Sequence, residues 1–357
     1  MPAALRPPLA LVSSLLLAFS PLHGGVESLL YGAPTALSMP GAQGFALLLP
    51  GATGAFGVFP ALAAPDGWAE AGYRQFFRNN LAATPLNGQQ GNGTLTVEVP
   101  LERSAWGLGF QWQFNSFADD ARDVIALTTG DFKAFDSLIT MSLRRSFPLT
   151  RQAKASAVGS PRAEGPVLDA GVSFKLLLSD WGQKVAGIST GDTKVLAALI
   201  DGGLAFTLGR LLRTAVSVRH FGLPLSLSNL AFNVPLDLNV GAVLALPTGN
   251  LETDVGVGWQ STFGDRQELS LGGALFLPLG AKPDRFSWRR LGATAQARLD
   301  FEAPERGFGF GGGLEAEAGS QDVRLRIGWG LATHLSAGIQ QSFSLSVVWN
   351  EKLAPVH

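Results

Sequence analysis

From Trp106 to Phe114 the chain alternates without a break: Trp106, Leu108, Phe110, Trp112 and Phe114 share one parity, and Gly107, Gly109, Gln111 and Gln113 the other. A period of two places the large apolar residues on one face of a β-strand and the small or polar ones on the opposite face. The pattern returns at 236–246, where Leu236, Leu238, Val240, Ala242, Leu244 and Leu246 oppose Asp237, Asn239 and Gly241, and again at 253–259, 323–331 and 343–349. Applied to the whole chain, the same test predicts fourteen strands, near 68–77, 93–101, 104–115, 136–147, 167–179, 200–209, 212–220, 235–246, 252–262, 267–277, 290–301, 308–318, 322–331 and 341–349. Most are about 9 to 12 residues, the length a tilted strand needs to cross hydrocarbon. An even count suits a single-chain bacterial barrel, whose two termini then lie on the periplasmic side. The expected fold is all-β, a transmembrane antiparallel β-barrel.

Composition excludes most alternatives. Charged residues make up 15% of the chain, against about 25% in soluble proteins. The 44 glycines and 21 prolines interrupt the apolar runs that a membrane helix would need. With no cysteine there is no disulfide scaffold and no thiolate zinc site, and a net charge of −1 lacks the basic excess of a nucleic-acid partner. Outward Trp and Phe residues argue against a soluble sandwich or propeller. Beyond the N-terminal segment, histidine occurs only at 220, 334 and 357, without a nucleophile elbow or a histidine pair at helical spacing. The chain is therefore not expected to be an enzyme, and no cofactor or metal is expected. Gly307–Gly312 matches the spacing of a dinucleotide fingerprint, but no helical pattern follows it. Those glycines fit a strand approached closely by other groups.

The N-terminus divides into two parts. Residues 1–25 carry Arg6, then an apolar run from Leu9 to Leu22, then Gly24 and Gly25, which reads as a secretory signal peptide cut between Ser20 and Gly25. From Ser28 to Pro65 no residue is charged, yet prolines stand at 34, 40, 50, 60 and 65, and six glycines accompany them. Such a backbone cannot satisfy its hydrogen bonds in lipid, but it can sit inside a protein cavity. The expected division is signal peptide 1–25, an N-terminal segment 26–67, barrel 68–349 and a tail 350–357.

If the apolar parity faces lipid, the other parity lines the lumen. It carries nearly balanced charges, among them Glu98, Arg144, Lys175, Asp201, Arg219, Asp237, Glu268 and Arg298. A charge on the lipid face costs roughly 2–4 kcal/mol at the midplane, so this sorting supports the assignment. Glu315 and Glu317 on one strand are expected to face Arg324 and Arg326 on the next as a lumenal ladder. Arg145 breaks the parity and is placed at an interface, where it can snorkel. Long connections are expected at 78–92, 115–135, 180–199 and 221–234. The stretch 148–166 is too long for its side of the barrel and 263–266 too short, which implies either a miscounted strand or an insertion at 148–166.

Three stretches occur in order along the chain: Gly130-Asp131-Phe132-Lys133-Ala134-Phe135-Asp136, Ala170-Gly171-Val172-Ser173-Phe174-Lys175-Leu176, and Ile200-Asp201-Gly202-Gly203-Leu204 followed by Arg213–Phe221. With the architecture above they resemble the bacterial outer-membrane barrels that include the FadL-type fatty-acid transporters and the PorV-like proteins, especially spirochaete members. The resemblance covers about residues 36–260. It implies that the segment before the first strand folds into the lumen as a hatch. The hatch of that family carries an Asn-Pro-Ala turn, where this chain has Phe59-Pro60-Ala61. The C-terminus also departs, because Trp349 is followed by eight more residues, Asn350–His357.

The resulting expectation is a bacterial outer-membrane channel for passive uptake of hydrophobic small molecules, with long-chain fatty acids as the substrate class. Its partners would be outer-membrane lipid and the apolar ligand. Phe45, Leu47, Leu48, Leu49, Phe56 and Phe59 would line the hatch pocket. A lateral exit is expected where the second and third strands meet, at Pro100, Gly107 and Gly109, because Pro and Gly permit breaks in pairing. The competing expectation is a non-transporting PorV-like barrel that holds exported protein partners at the cell surface through its long loops.

Overall fold

The computed structural model describes fourteen strands and short flanking stretches between Gly67 and Trp349; residues 1–66 and 350–357, and parts of the connections, lie outside the described residues. In chain order the strands are β1 (Gly67–Phe77), β2 (Gln89–Leu101), β3 (Trp106–Arg122), β4 (Thr128–Pro148), β5 (Pro166–Val185), β6 (Ile188–Leu208), β7 (Leu212–Ser226), β8 (Asp237–Thr248), β9 (Leu251–Thr262), β10 (Arg266–Pro278), β11 (Ser287–Asp300), β12 (Phe308–Gly319), β13 (Val323–His334) and β14 (Gly338–Trp349). Each pairs antiparallel with the next, and β1 pairs with β14 from Gly67↔Trp349 to Phe77↔Ile339, which closes the barrel. Closure removes the sheet edges, so the ladders are satisfied around the whole circumference.

The alternation decides which way each strand faces. On β3, Leu108, Phe110 and Trp112 are exposed on the outer wall, while Gly107, Gly109, Gln111 and Gln113 are buried inside. The same division holds on β12, where Phe308, Phe310 and Leu314 point out and Gly309, Gly313, Glu315 and Glu317 point in. An indole on the outer wall needs an acceptor for its N–H, and Trp112 Nε1 donates to Ser137 Oγ on β4 at 2.8 Å.

Gly67 and Trp349 share one rim, called here the terminal rim, and the odd-to-even hairpins form the far rim. The wall is not of uniform height. Strands β4, β5 and β6 have 21, 20 and 21 residues, against 12 for β12, β13 and β14. At roughly 3.3 Å per residue, that is about 70 Å of strand against about 40 Å. The segments expected as loops at 115–135 and 180–199 are therefore mostly strand. The β5–β6 ladder continues to Val185↔Ile188, and the β3–β4 ladder to Arg122↔Thr128. Residues 221–226 likewise belong to β7 and pair with β6 up to Ser226↔Val195.

The two exceptions in connection length involve no missing strand. β4 and β5 are consecutive neighbours in the sheet, and Leu149 N donates to Pro166 O at 3.0 Å where they meet the terminal rim. β9 and β10 stay in register to Arg266↔Thr262, so only three residues connect them.

Candidate functional site: the inner wall of the barrel

The inner wall is built from alternate residues of all the strands, and its polar groups gather into clusters that span neighbouring strands. Near the terminal rim, Arg144 on β4 pairs with Glu98 on β2 at 2.7 Å, both buried. The pair reaches across β3, because Arg144 is in register with Gly107. A side chain at Gly107 would collide with the guanidinium, so glycine is needed there for Arg144 to pass. Higher on the same wall, Gln111 Nε2 donates to Thr96 Oγ1 at 3.1 Å.

The densest cluster lies on β5 to β9. Lys175 Nζ contacts Asp201 Oδ2, and Arg219 Nε lies 3.7 Å from the same oxygen. Between Ile200/Gly202 and Val218/Phe221 the β6–β7 register shifts, so Asp201 alone faces both Arg219 and His220. This is a β-bulge. His220 holds φ 61°, its N–H donates to Asp201 Oδ1 at 2.8 Å, and its Nδ1 lies 3.4 Å from Asp237 Oδ2 on β8. Asp237 also accepts from Thr262 Oγ1 at 2.6 Å and from Gln260 Nε2 at 3.2 Å on β9. Opposite charges and hydrogen bonds thus satisfy a group that would be costly to bury alone.

A third cluster sits at the terminal rim on β11 to β13. Arg290 contacts Glu315 at 2.6 Å, and Arg326 contacts Glu315 at 3.3 Å and Glu317 at 3.0 Å. Arg324 reaches Glu317 at 3.4 Å. Register explains the arrangement, because Glu317 is directly opposite Arg326 and also opposite Arg290 on its other side. Phe276 on β10 lies under the Arg290 guanidinium at 4.3 Å, in space that a side chain at Gly292 would fill. The geometry is that of the ladder expected for Glu315, Glu317, Arg324 and Arg326, enlarged by Arg290.

One part of the inner wall is apolar. Leu138 on β4, Leu177 on β5 and Ala197 on β6 are lateral neighbours in the ladders, with Leu199 one inner position below Ala197. Their exposures are 2%, 0%, 0% and 2%. The row lies immediately above Lys175 and Asp201, and below Asp136 and Ser179, whose side chains are hydrogen-bonded to each other.

The expected pocket residues Phe45, Leu47, Leu48, Leu49, Phe56 and Phe59, and the hatch itself, lie outside the described residues. The expected break at Pro100, Gly107 and Gly109 is corrected: β2 and β3 pair continuously from Gln89↔Ala118 to Leu101↔Trp106, including Pro100↔Gly107 and Glu98↔Gly109. Gly107 makes room for Arg144 rather than opening the wall. One wall irregularity lies at the β6–β7 bulge, signalled in sequence by the consecutive polar pair Arg219-His220. Sequence reading also left out Glu70, Asp136, Asp169 and Arg290, all on the inner parity. Among the described residues no group of His, Asp or Glu is arranged to hold a metal ion.

No protein-family model matches the chain, and no curated protein sequence matches it. Solved structures do. The TodX monoaromatic hydrocarbon channel, as a deletion mutant, superposes with a TM-score of 0.51 at 10% identity, covering 91% of this chain and 98% of that one. The likeness is one of fold. A Pseudomonas aeruginosa FadL homologue gives a TM-score of 0.49 at 12% identity over 92% and 98% of the two chains. The toluene transporter TbuX of Ralstonia pickettii gives 0.49 at 11% identity over 91% and 97%.

Proposed function

We propose that this barrel is a channel of the bacterial outer membrane that admits hydrophobic small molecules passively, with its terminal rim in the periplasm. The observation that carries the reading is the apolar row Leu138, Leu177, Ala197 and Leu199 on the inner wall of a closed barrel, set between polar clusters. An apolar surface inside a barrel offers a ligand a site to leave water, worth about 0.8 kcal/mol per buried CH₂. The full-length likeness in fold to a hydrocarbon channel supports it. We read long-chain fatty acids as the substrate class, since an extended acyl chain gains from each methylene it places against such a row. The charge-free segment Ser28–Pro65 is the lumenal hatch in this reading, with Phe45, Leu47, Leu48, Leu49, Phe56 and Phe59 as its ligand-facing residues. Near-complete burial of inner-wall leucines supports a filled lumen.

The test is uptake of labelled oleate and labelled toluene by cells displaying the full-length protein, with an unrelated porin as reference. Uptake above the reference is expected, with loss in Leu177→Asp and in Leu48→Asp while heat-modifiable migration shows the barrel still folded. Uptake no faster than through the porin for both compounds rejects the channel. Uptake of toluene alone rejects the fatty-acid assignment and keeps the channel.

A further inference from the structure

We propose that Arg145 is a binding site for the phosphate of an anionic membrane lipid on the outer wall near the terminal rim. Arg145 departs from the sorting of charge: its neighbour Arg144 points inward to Glu98, while Arg145 is exposed on the lipid-facing parity of β4. Its guanidinium carbon lies 4.8 Å from the ring centroid of Trp106 and 5.0 Å from that of Phe147. Trp106 is its direct cross-strand partner on β3, and Phe147 is the next outward residue on its own strand. Two rings on adjacent strands thus hold the planar group in place.

Stacking engages the faces of a guanidinium and leaves its N–H edge, the fork that fits a carboxylate or phosphate in bidentate fashion. Among the described residues no carboxylate lies within ion-pairing distance of Arg145, and no hydrogen-bond acceptor meets that edge. The guanidinium is directed toward the rim, beside Phe147. Phe147 and Leu149, both exposed, lie nearer the rim than Arg145, and Leu143 is exposed on the other side. The cation therefore sits within the lower margin of the apolar band, at a depth where the available anion is a lipid headgroup phosphate. Aromatic residues of this kind are placed at membrane–water interfaces, which is consistent with that depth.

The proposal rests on the reading of the barrel as membrane-spanning. Purified full-length protein is equilibrated with mixed micelles holding equal amounts of phosphatidylglycerol and phosphatidylcholine, and the retained lipids are counted by native mass spectrometry. About a tenfold preference for one phosphatidylglycerol is expected, equivalent to one charge-assisted contact. The preference should vanish in Arg145→Gln, fall in Trp106→Leu although the charge is kept, and persist in part in Arg145→Lys. Heat-modifiable migration identifies folded variants, and the Trp106→Leu arm tests the stack independently if Arg145→Gln fails to fold. Equal lipid selectivity in wild type and Arg145→Gln overturns the site while leaving the membrane reading intact. Retention of no lipid at all by folded wild type overturns both. Loss of the phosphatidylglycerol preference on adding excess inorganic phosphate assigns the site to free phosphate and overturns the lipid assignment.

Discussion

Asp201 holds the backbone of His220: its Oδ1 accepts the His220 N–H at 2.8 Å across the β6–β7 bulge, while its Oδ2 contacts Lys175. One carboxylate therefore fixes a left-handed residue and neutralises a buried cation. The bulge turns two consecutive side chains, Arg219 and His220, toward the interior, where an unbroken strand would have offered one.

The first prediction follows from removing that carboxylate. Asp201→Ala leaves Lys175 and Arg219 buried beside one another without their shared counter-charge, which costs about 3–5 kcal/mol. Asp201→Asn keeps an acceptor for the His220 N–H and should cost less. Urea-dependent unfolding of the barrel in phospholipid vesicles measures both. Equal losses for the two variants would show that the hydrogen bond to the His220 N–H adds nothing to the charge, and an Asp201→Asn variant as stable as wild type would show that the charge is not what holds the cluster.

Much of this architecture is legible in the sequence, and the parts that are not have a common cause. Alternation located all fourteen strands because lipid on one side and polar lumen on the other impose a period of two on segments such as 106–114 and 343–349. It failed above that zone. Residues 115–122 and 188–194 read Asn-Ser-Phe-Ala-Asp-Asp-Ala-Arg and Ile-Ser-Thr-Gly-Asp-Thr-Lys, with no sustained alternation, yet they continue β3 and β6. A strand that stands clear of lipid loses the sorting that gives it away. The ladder at Glu315, Glu317, Arg324 and Arg326 was readable because a tight hairpin fixes its register. The Gly107–Arg144 pairing was not, since it depends on how β3 and β4 align across the connection at 123–127.

Glycine in a strand, whether inward like Gly107 or outward like Gly202, is expected to matter only where something approaches it. A Cβ at Gly107 would collide with the Arg144 guanidinium, whereas one at Gly202 meets no atom within 4 Å. Gly107→Ala should therefore displace Arg144 from Glu98 and cost about 1–3 kcal/mol, and Gly202→Ala should stay within about 0.5 kcal/mol of wild type. The same unfolding measurement reads both. A Gly107→Ala variant as stable as Gly202→Ala would contradict the close approach.

The cluster at the terminal rim predicts coupling rather than large single effects. Arg326 and Arg324 keep 26% and 24% of their side chains exposed, while Glu317 keeps 6%. Solvent therefore screens part of each attraction. In a double-mutant cycle of Glu317→Gln and Arg326→Gln, we expect a coupling of about 0.5–3 kcal/mol, as for residues in one ion-pair network. The same cycle between Glu317 and Arg298, which belongs to the separate pair with Glu268 at 3.7 Å, should be additive within about 0.5 kcal/mol. Coupling of similar size in both cycles would mean that the inner wall responds as one network.

The outer wall offers a test of whether Trp112 faces hydrocarbon. Its indole N–H donates to Ser137 Oγ at 2.8 Å, and both residues lie on the outward parity of adjacent strands. In water the loss of that acceptor would be made good by solvent, at almost no cost. In lipid nothing replaces it, so Ser137→Ala should destabilise the barrel by about 1–2 kcal/mol. Replacing the donor as well removes the unmet demand. Ser137→Ala combined with Trp112→Phe should therefore lose less stability than the sum of the two single variants, when unfolding is followed in vesicles. If Ser137→Ala is neutral in vesicles, the indole finds another acceptor, and this face of β3 is wetter than its row of Leu108, Phe110 and Trp112 implies.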